Sequence, residues 1–409
     1  MLVLYHPDCL FHRTVELLGG KVIPALESPE RLESIVKALK EDGTHELRIE
    51  PFSPWSIDDD LGHTEEDLIK WILKDTHEAG YLKHLQTVHR RWVADGLIDD
   101  TEHVLPECFR VPSKAGGIPK STKPPFASPP PKDIYAQSGY YTFDMSTGIA
   151  KDTWTSVLAS ANLAARAASY ISSNTTAPGD PQRAHKDVLA LCRPPGHHCT
   201  TAMAGGYCYV NNAVVSIEAL ARLQRATHAR TQRSTSAEAE RSAEGASPRV
   251  AILDLDFHHG NGTQDVYYAD TAVLYVSIHG ADEYPYYTGF ESECGEGPGR
   301  GYTLNLPLRT DASFDEYKEK LGVAVAKLVE FAPDFLLVSL GFDTFRLDPI
   351  GKFDIDIPDY ETMARTVRAT PPLRDVPSII LLEGGYTVDK LGECMLSFLK
   401  GWESGGKGL

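Results

Sequence analysis

The chain has 409 residues, 42% of them apolar and 24% charged, with a formal charge of −17. That is ordinary composition for a soluble globular protein of one large or two average domains. The acidic balance argues against direct nucleic-acid binding, which needs basic patches, and suits attraction of a cationic partner. Seven cysteines stand at 9, 108, 192, 199, 208, 294 and 394, an odd number without a CxxC. This pattern reads as free thiols in a reducing compartment rather than a disulfide framework. No apolar run is long enough for a signal-peptide core or a membrane span. The expectation is a soluble intracellular protein of cytoplasm or nucleus, with no membrane partner.

In chain order, residues 106–132 come first, with eight prolines among Gly, Ser and Lys, and read as a long surface loop. The stretch 154–171 has apolar spacing near 3.6 and predicts a helix, followed by DVLALC (187–192), an apolar run that predicts a buried strand. The pattern then repeats. Helical spacing at 210–226 precedes RVAILDLD (249–256) and AVLYVSIH (272–279), and helical 314–332 precedes DFLLVSLGFD (334–343) and SIILLEGG (378–385). Such alternation predicts an α/β fold, a central mostly parallel sheet with helices on both faces. The spacing never splits into two cores, so one domain over residues 1–400 is expected. Residues 225–249, low in complexity, read as an inserted loop rather than an extension of the helix before them. The end, 401–409, reads as a flexible tail.

The polar residues follow the carboxyl ends of the apolar runs: RPPGHH after DVLALC, DLDFHHGNG after VAIL, FDTF after LLVSLG, and EGGY after SIILL. In an open α/β sheet, ligands bind where strand ends meet. Asp254, Asp256 and His258 alternate, which on an extended strand puts them on one face. Carboxylates with an imidazole suit zinc or another divalent ion, and Asp343 at another strand end completes a three-ligand set. An isolated DxH is more often a helix cap and a core histidine. The HHGNG that follows, and a second HH elsewhere, shift the balance to metal. His197 and His198 sit behind Pro194 and Pro195, on a loop stiffened where φ is fixed. One imidazole of the pair can take a proton from water and return it to a leaving amine. Asp254 can orient one ring and Asn261 the other. Gly384 and Gly385 permit a turn that presents the Tyr386 phenol to a developing oxyanion.

RPPGHH, GGYCYVNNA, DLDFHHGNGTQ, VSIHG, SLGFDTF and EGGY stand together, densely over 187–399, in an order that resembles the histone deacetylase superfamily. Weaker matches at SPERLESIVKAL and THEAGYLKHL extend the resemblance to the amino-terminal part. TVELLGG, QSGYYTFD, EYPYYTG and FDTFRLDPIGKF are most similar to acetylpolyamine amidohydrolases and class II-like relatives. The resemblance implies the arginase/deacetylase fold and one Zn²⁺ on Asp256, His258 and Asp343. It also implies a K⁺ or Na⁺ site at Asp254, Asp256, His258, Ser277 and Ile278. A substrate tunnel and rim would be formed by Gly206, Tyr207, Tyr286 or Tyr287, Ile350, Glu16 and Tyr135, with Arg31 near an acetate exit. The implied activity is deacetylation of a cationic acetylated substrate, acetyl-lysine or acetylpolyamine, by a possible homodimer. Tyr135 falls where the polyamine enzymes carry an acid, which weakens the polyamine assignment, while Glu16 matches a second acid of that group. The sequence leaves two other readings open. An arginase-type ureohydrolase with two manganese ions needs further bridging aspartates, and a catalytically idle acetyl-lysine-binding scaffold should lack a ligand or the tyrosine.

Overall fold

The computed structural model describes residues 1–51, 65–109, 129–172, 185–232 and 247–407. Among the described residues ten strands run β1 (Leu2–Tyr5), β2 (Val15–Leu18), β3 (Lys21–Pro24), β4 (Glu46–Ile49), β5 (Asp187–Ala190), β6 (Val250–Asp254), β7 (Val273–Gly280), β8 (Thr303–Leu308), β9 (Phe335–Leu340) and β10 (Ser378–Leu382). Eight of them form one sheet in the order β4-β1-β5-β10-β9-β6-β7-β8, and every neighbouring pair is parallel. β2 and β3 pair separately as an antiparallel hairpin. Strands β6, β7, β9 and β10 are buried along their whole length, as their unbroken apolar runs require.

Among the helices, α1 (Pro29–Asp42), α2 (Glu65–Thr76), α3 (Ala79–Ala94) and α4 (Ile134–Ser138) precede β5. Then come α5 (Thr153–Ser172), α6 (Asn212–Gln232), α7 (Asn261–Tyr267), α8 (Phe314–Phe331), α9 (Ile357–Arg368) and α10 (Leu391–Gly406). α5 packs on β1, β5, β10 and α6, and α8 on β6, β7 and β8, so helices clothe the sheet on both faces. Ser313 starts α8 with a capping box. Its hydroxyl accepts from the Glu316 N–H, and the Glu316 carboxylate accepts from the Ser313 N–H at 2.9 Å.

Three expectations need correction. Residues 401–406 are helical and not a frayed tail, because Trp402 is buried and stacks on Phe398. Residues 225–232 continue α6 instead of opening a loop, while 233–246 lie outside the described residues. Of the Pro-rich stretch, 110–128 likewise lie outside them. Finally, β6 ends at Asp254, so an extended strand is not what aligns Asp254, Asp256 and His258.

Candidate active site

β5, β10, β9 and β6 are consecutive in the sheet, and each carries one polar motif just beyond its carboxyl end. Because the strands are parallel and adjacent, residues separated by almost 200 positions meet in one crevice. The ligand atoms of Asp256, His258 and Asp343 lie within 4.8 Å of one another, and all three residues are buried. The His258 Nδ1 stands 2.9 Å from Asp343 Oδ2 and 3.4 Å from Asp256 Oδ1. Backbone donors set this arrangement. Phe257 N–H donates to Asp343 Oδ1, His258 N–H to Asp256 Oδ1 and Gly384 N–H to Asp256 Oδ2, at 2.7–2.9 Å. A Cβ at Gly384 would collide with both carboxylates.

The donor chemistry fits a bound cation. Burial and the charge of Asp256 push the Asp343 carboxyl well above the usual range, since two carboxylates cannot both stay ionised in a dry site without positive charge. Two carboxylates and an imidazole on one point are the ligand types of a divalent ion.

His197 and His198 lie beside this group, their ring centroids 4.0 Å apart. His197 Nδ1 faces Asp254 Oδ2 at 3.2 Å, and Tyr275 donates its hydroxyl to the same oxygen at 3.0 Å. His198 Nδ1 faces the Asn261 Oδ1 at 2.8 Å, so this nitrogen carries the proton and Nε2 is left to accept. The two rings are electrostatically unlike. Burial alone would depress His197, but Asp256 and Asp254 overcome it and lift its pKa to about 10. Burial, reinforced by the His197 charge, holds His198 well below the ordinary value. A cationic ring thus lies beside a neutral one able to accept a proton.

Arg31 and Arg193, both fully buried, share Glu27 Oε1 at 2.7 and 2.8 Å. Arg31 also donates to the carbonyls of Gly385 and Glu383 and lies 4.9 Å from the Tyr386 ring. Arg193 donates to the carbonyls of Cys9 and His12. Arg31, assigned above to an acetate exit, therefore braces the Tyr386 turn. Glu383 accepts the Gly196 and His197 N–H groups on one oxygen and the Ser339 hydroxyl on the other. With His197 and Cys208 it forms a buried His/Cys/Glu cluster, the second group of ligand-type side chains among the described residues. Arg193, Cys208 and Glu383 stand inside the motifs quoted above without a role assigned to them, and Glu27 stands outside them, because buried contacts between distant residues carry no local pattern.

A cavity of about 310 Å³ opens above the group. Its walls include His198, His258 and Tyr386, together with Tyr207, Gly206, Tyr286, Ile350 and Glu16 of the residues assigned above to the tunnel and rim. They also include Tyr284, Glu283 and Lys352, which were not foreseen. Tyr284 lies 4.9 Å edge-on to His198 and donates to Asp144 at 2.6 Å. Gly206 and Tyr207 are both left-handed, at φ 53° and 64°, and a Cβ on Gly206 would strike the His198 ring. Of the alternatives Tyr286 and Tyr287, the wall holds Tyr286, while Tyr287 is 88% exposed and absent from the walls. Tyr135 is absent too, for its ring stacks on Trp92 and its hydroxyl donates to Glu107. Asp254 and Ser277 are register partners across β6 and β7, with Ile278 next along the strand, and Ser277 Oγ bonds His279 Nδ1 at 2.8 Å.

A model of the histone deacetylase domain matches residues 25–402. The chain belongs to the histone deacetylase family. Over 404 residues this deacetylase-family chain is 34% identical to the acetylpolyamine amidohydrolase of Mycoplana ramosa, covering 98% of this chain and 99% of that protein. It is 32% identical to acetylpolyamine amidohydrolase 2 of Pseudomonas aeruginosa over 406 residues, with the same two coverages. The crystal structure of acetylpolyamine aminohydrolase from Burkholderia pseudomallei superposes with a TM-score of 0.77 at 31% identity, covering 99% of each chain. The family is one of amidohydrolases and deacetylases, and its fold together with the Asp/His cluster points to a metal ion. Among the described residues of this deacetylase-family member, no helix is long and apolar enough to cross a membrane.

Proposed function

We propose that the chain is a zinc-dependent amide hydrolase that removes acetyl groups from amines, acetylated polyamines foremost. The observation that carries this reading is the grouping of Asp256 and Asp343 with His258, which lines one cavity together with His198 and Tyr386. Asp256, His258 and Asp343 would hold the zinc, which when bound would polarise an acetyl carbonyl and bring the pKa of an attacking water toward about 7. His198 Nε2 takes the proton of that water and delivers it to the departing amine, because Asn261 fixes the tautomer. His197, oriented by Asp254 at 3.2 Å, stands beside His198. Tyr386, braced by Arg31 and by its N–H bond to Asp348, donates to the oxyanion. A K⁺ or Na⁺ ion at Asp254, Asp256, His258, Ser277 and Ile278 would stiffen the loop after β6.

Polyamines lead because the full-length relatives are named for them and the cavity wall carries Glu283. A two-manganese reading is disfavoured, since Asp348 is engaged by the N–H groups of Ile350, Gly351 and Tyr386. The test is turnover of a monoacetylated polyamine and an acetyl-lysine peptide side by side, with and without chelator and added zinc. Zinc-restored turnover with the polyamine ahead is the expected result. Absence of turnover of both would overturn the reading.

A further inference from the structure

Among the described residues, the charged side chains that line the cavity, apart from its histidines, are Glu16, Glu283 and Lys352. They are not equivalent. Glu16 is 1% exposed and both oxygens are engaged, one by the Tyr207 hydroxyl at 2.8 Å and the other by the Leu26 N–H at 3.0 Å. It fixes the tunnel wall and has little left for a substrate. Glu283 instead accepts from Lys352 Nζ at 2.8 Å. The Glu283 side chain is 18% exposed and that of Lys352 57%. The acid is held on a pinned turn, where Tyr286 N–H donates to the Glu283 carbonyl at 2.7 Å and Tyr286 adopts φ 66°. Lysine reaches it on a flexible four-carbon stem. If the pair opens, lysine is the partner that leaves.

A lysine side chain is a primary alkylammonium, the same group that the far end of a monoacetylated diamine presents. We infer that Lys352 is a resident surrogate for the distal ammonium of the substrate, occupying the Glu283 subsite until a cationic substrate displaces it. The inference deepens the deacetylase reading and rests on it. Lys352 then sets how strongly the protein discriminates cationic from neutral acetamides. A half-exposed ion pair is weak, so exchange is nearly balanced, and the resident lysine reduces apparent affinity for the cation by up to about fivefold.

The test compares mono-N-acetyl-1,4-diaminobutane with N-butylacetamide, which lacks the distal amine. KM and calorimetric Kd are measured on the zinc-loaded wild type, Lys352→Gln, Glu283→Gln and the double variant. Lys352→Gln is expected to raise the preference for the diamine about two- to fivefold. Glu283→Gln is expected to lower that preference below wild type, with the double variant between the two. An unchanged or lower preference in Lys352→Gln overturns the proposal, as does an unchanged one in Glu283→Gln. If the wild type turns over neither amide, the deacetylase reading falls, while the calorimetric ratios still decide the role of Lys352. Binding of neither compound overturns the subsite.

Discussion

At the floor of the cavity, Asp254, Asp256 and Asp343 are fully buried, and each carboxylate answers to at least one fixed donor or imidazole. At the mouth, Tyr286 is 57% exposed, Tyr287 88%, and the Glu283–Lys352 ion pair uses a flexible lysine. The floor hangs from four adjacent strand ends, whereas the mouth hangs from loops. Rigid elements fix chemistry, and loops are free to vary with substrate. Damage to the floor should therefore cost orders of magnitude, and damage to the mouth only small factors.

The largest effect is expected from Asp256→Ala, which removes a ligand and leaves Asp343 and His258 unbalanced; turnover should fall by at least about 1,000-fold with loss of bound metal. Tyr386→Phe should lower kcat about 100- to 1,000-fold while metal content stays at wild type, which steady-state kinetics and elemental analysis would read together. Near-full kcat would remove the phenol from the mechanism. Glu27→Gln reaches the floor indirectly. Burial opposes the charge of Glu27, and the Arg193 and Arg31 guanidiniums overcome it and hold its carboxyl below the usual range. Breaking that buried group should destabilise the fold by about 3–5 kcal/mol, read by denaturant unfolding. At the mouth, Tyr287→Ala should change kcat/KM by less than about twofold and stability by less than about 0.5 kcal/mol. A tenfold loss there would erase the contrast.

Acid should expose a related asymmetry. Burial, aided by Arg193, holds His12 near pKa 3; burial alone does so for His77, and burial with Arg91 for His84. The unfolded chain takes up those protons below about 6.5 and the folded one does not, so stability is complete above that pH and declines down to about 3. Each ring contributes up to about 1.4 kcal/mol per pH unit in that window. Urea midpoints at pH 7 and pH 5 should show the decline, and equal midpoints would contradict it.

The sheet was legible because strands buried on both faces must be apolar throughout, as 250–254 and 378–382 are. The floor residues were legible because adjacent parallel strands place their motifs at one edge. The path was misread at Asp256 and His258, which are gathered by backbone donors from Phe257, His258 and Gly384 and not by strand alternation. The mouth was read less well. Tyr284 rather than Tyr287 faces the histidines, because left-handed backbone at Asp282 and Tyr286 redirects the loop, and local composition does not encode that turn. Lys352 and Glu283 are far apart in sequence, so nothing local announces their pairing. The tail was misread for a similar reason, since the Gly-rich end of α10 is helical through packing of Trp402 on Phe398.

The central claim is that two carboxylates and one imidazole hold a single divalent ion at the floor. Elemental analysis of the purified protein reconstituted with zinc, beside Asp343→Ala treated identically, tests it most directly. One equivalent of zinc in the wild type and none in the variant is the predicted result; two equivalents in the wild type, or a full equivalent kept by Asp343→Ala, would contradict it.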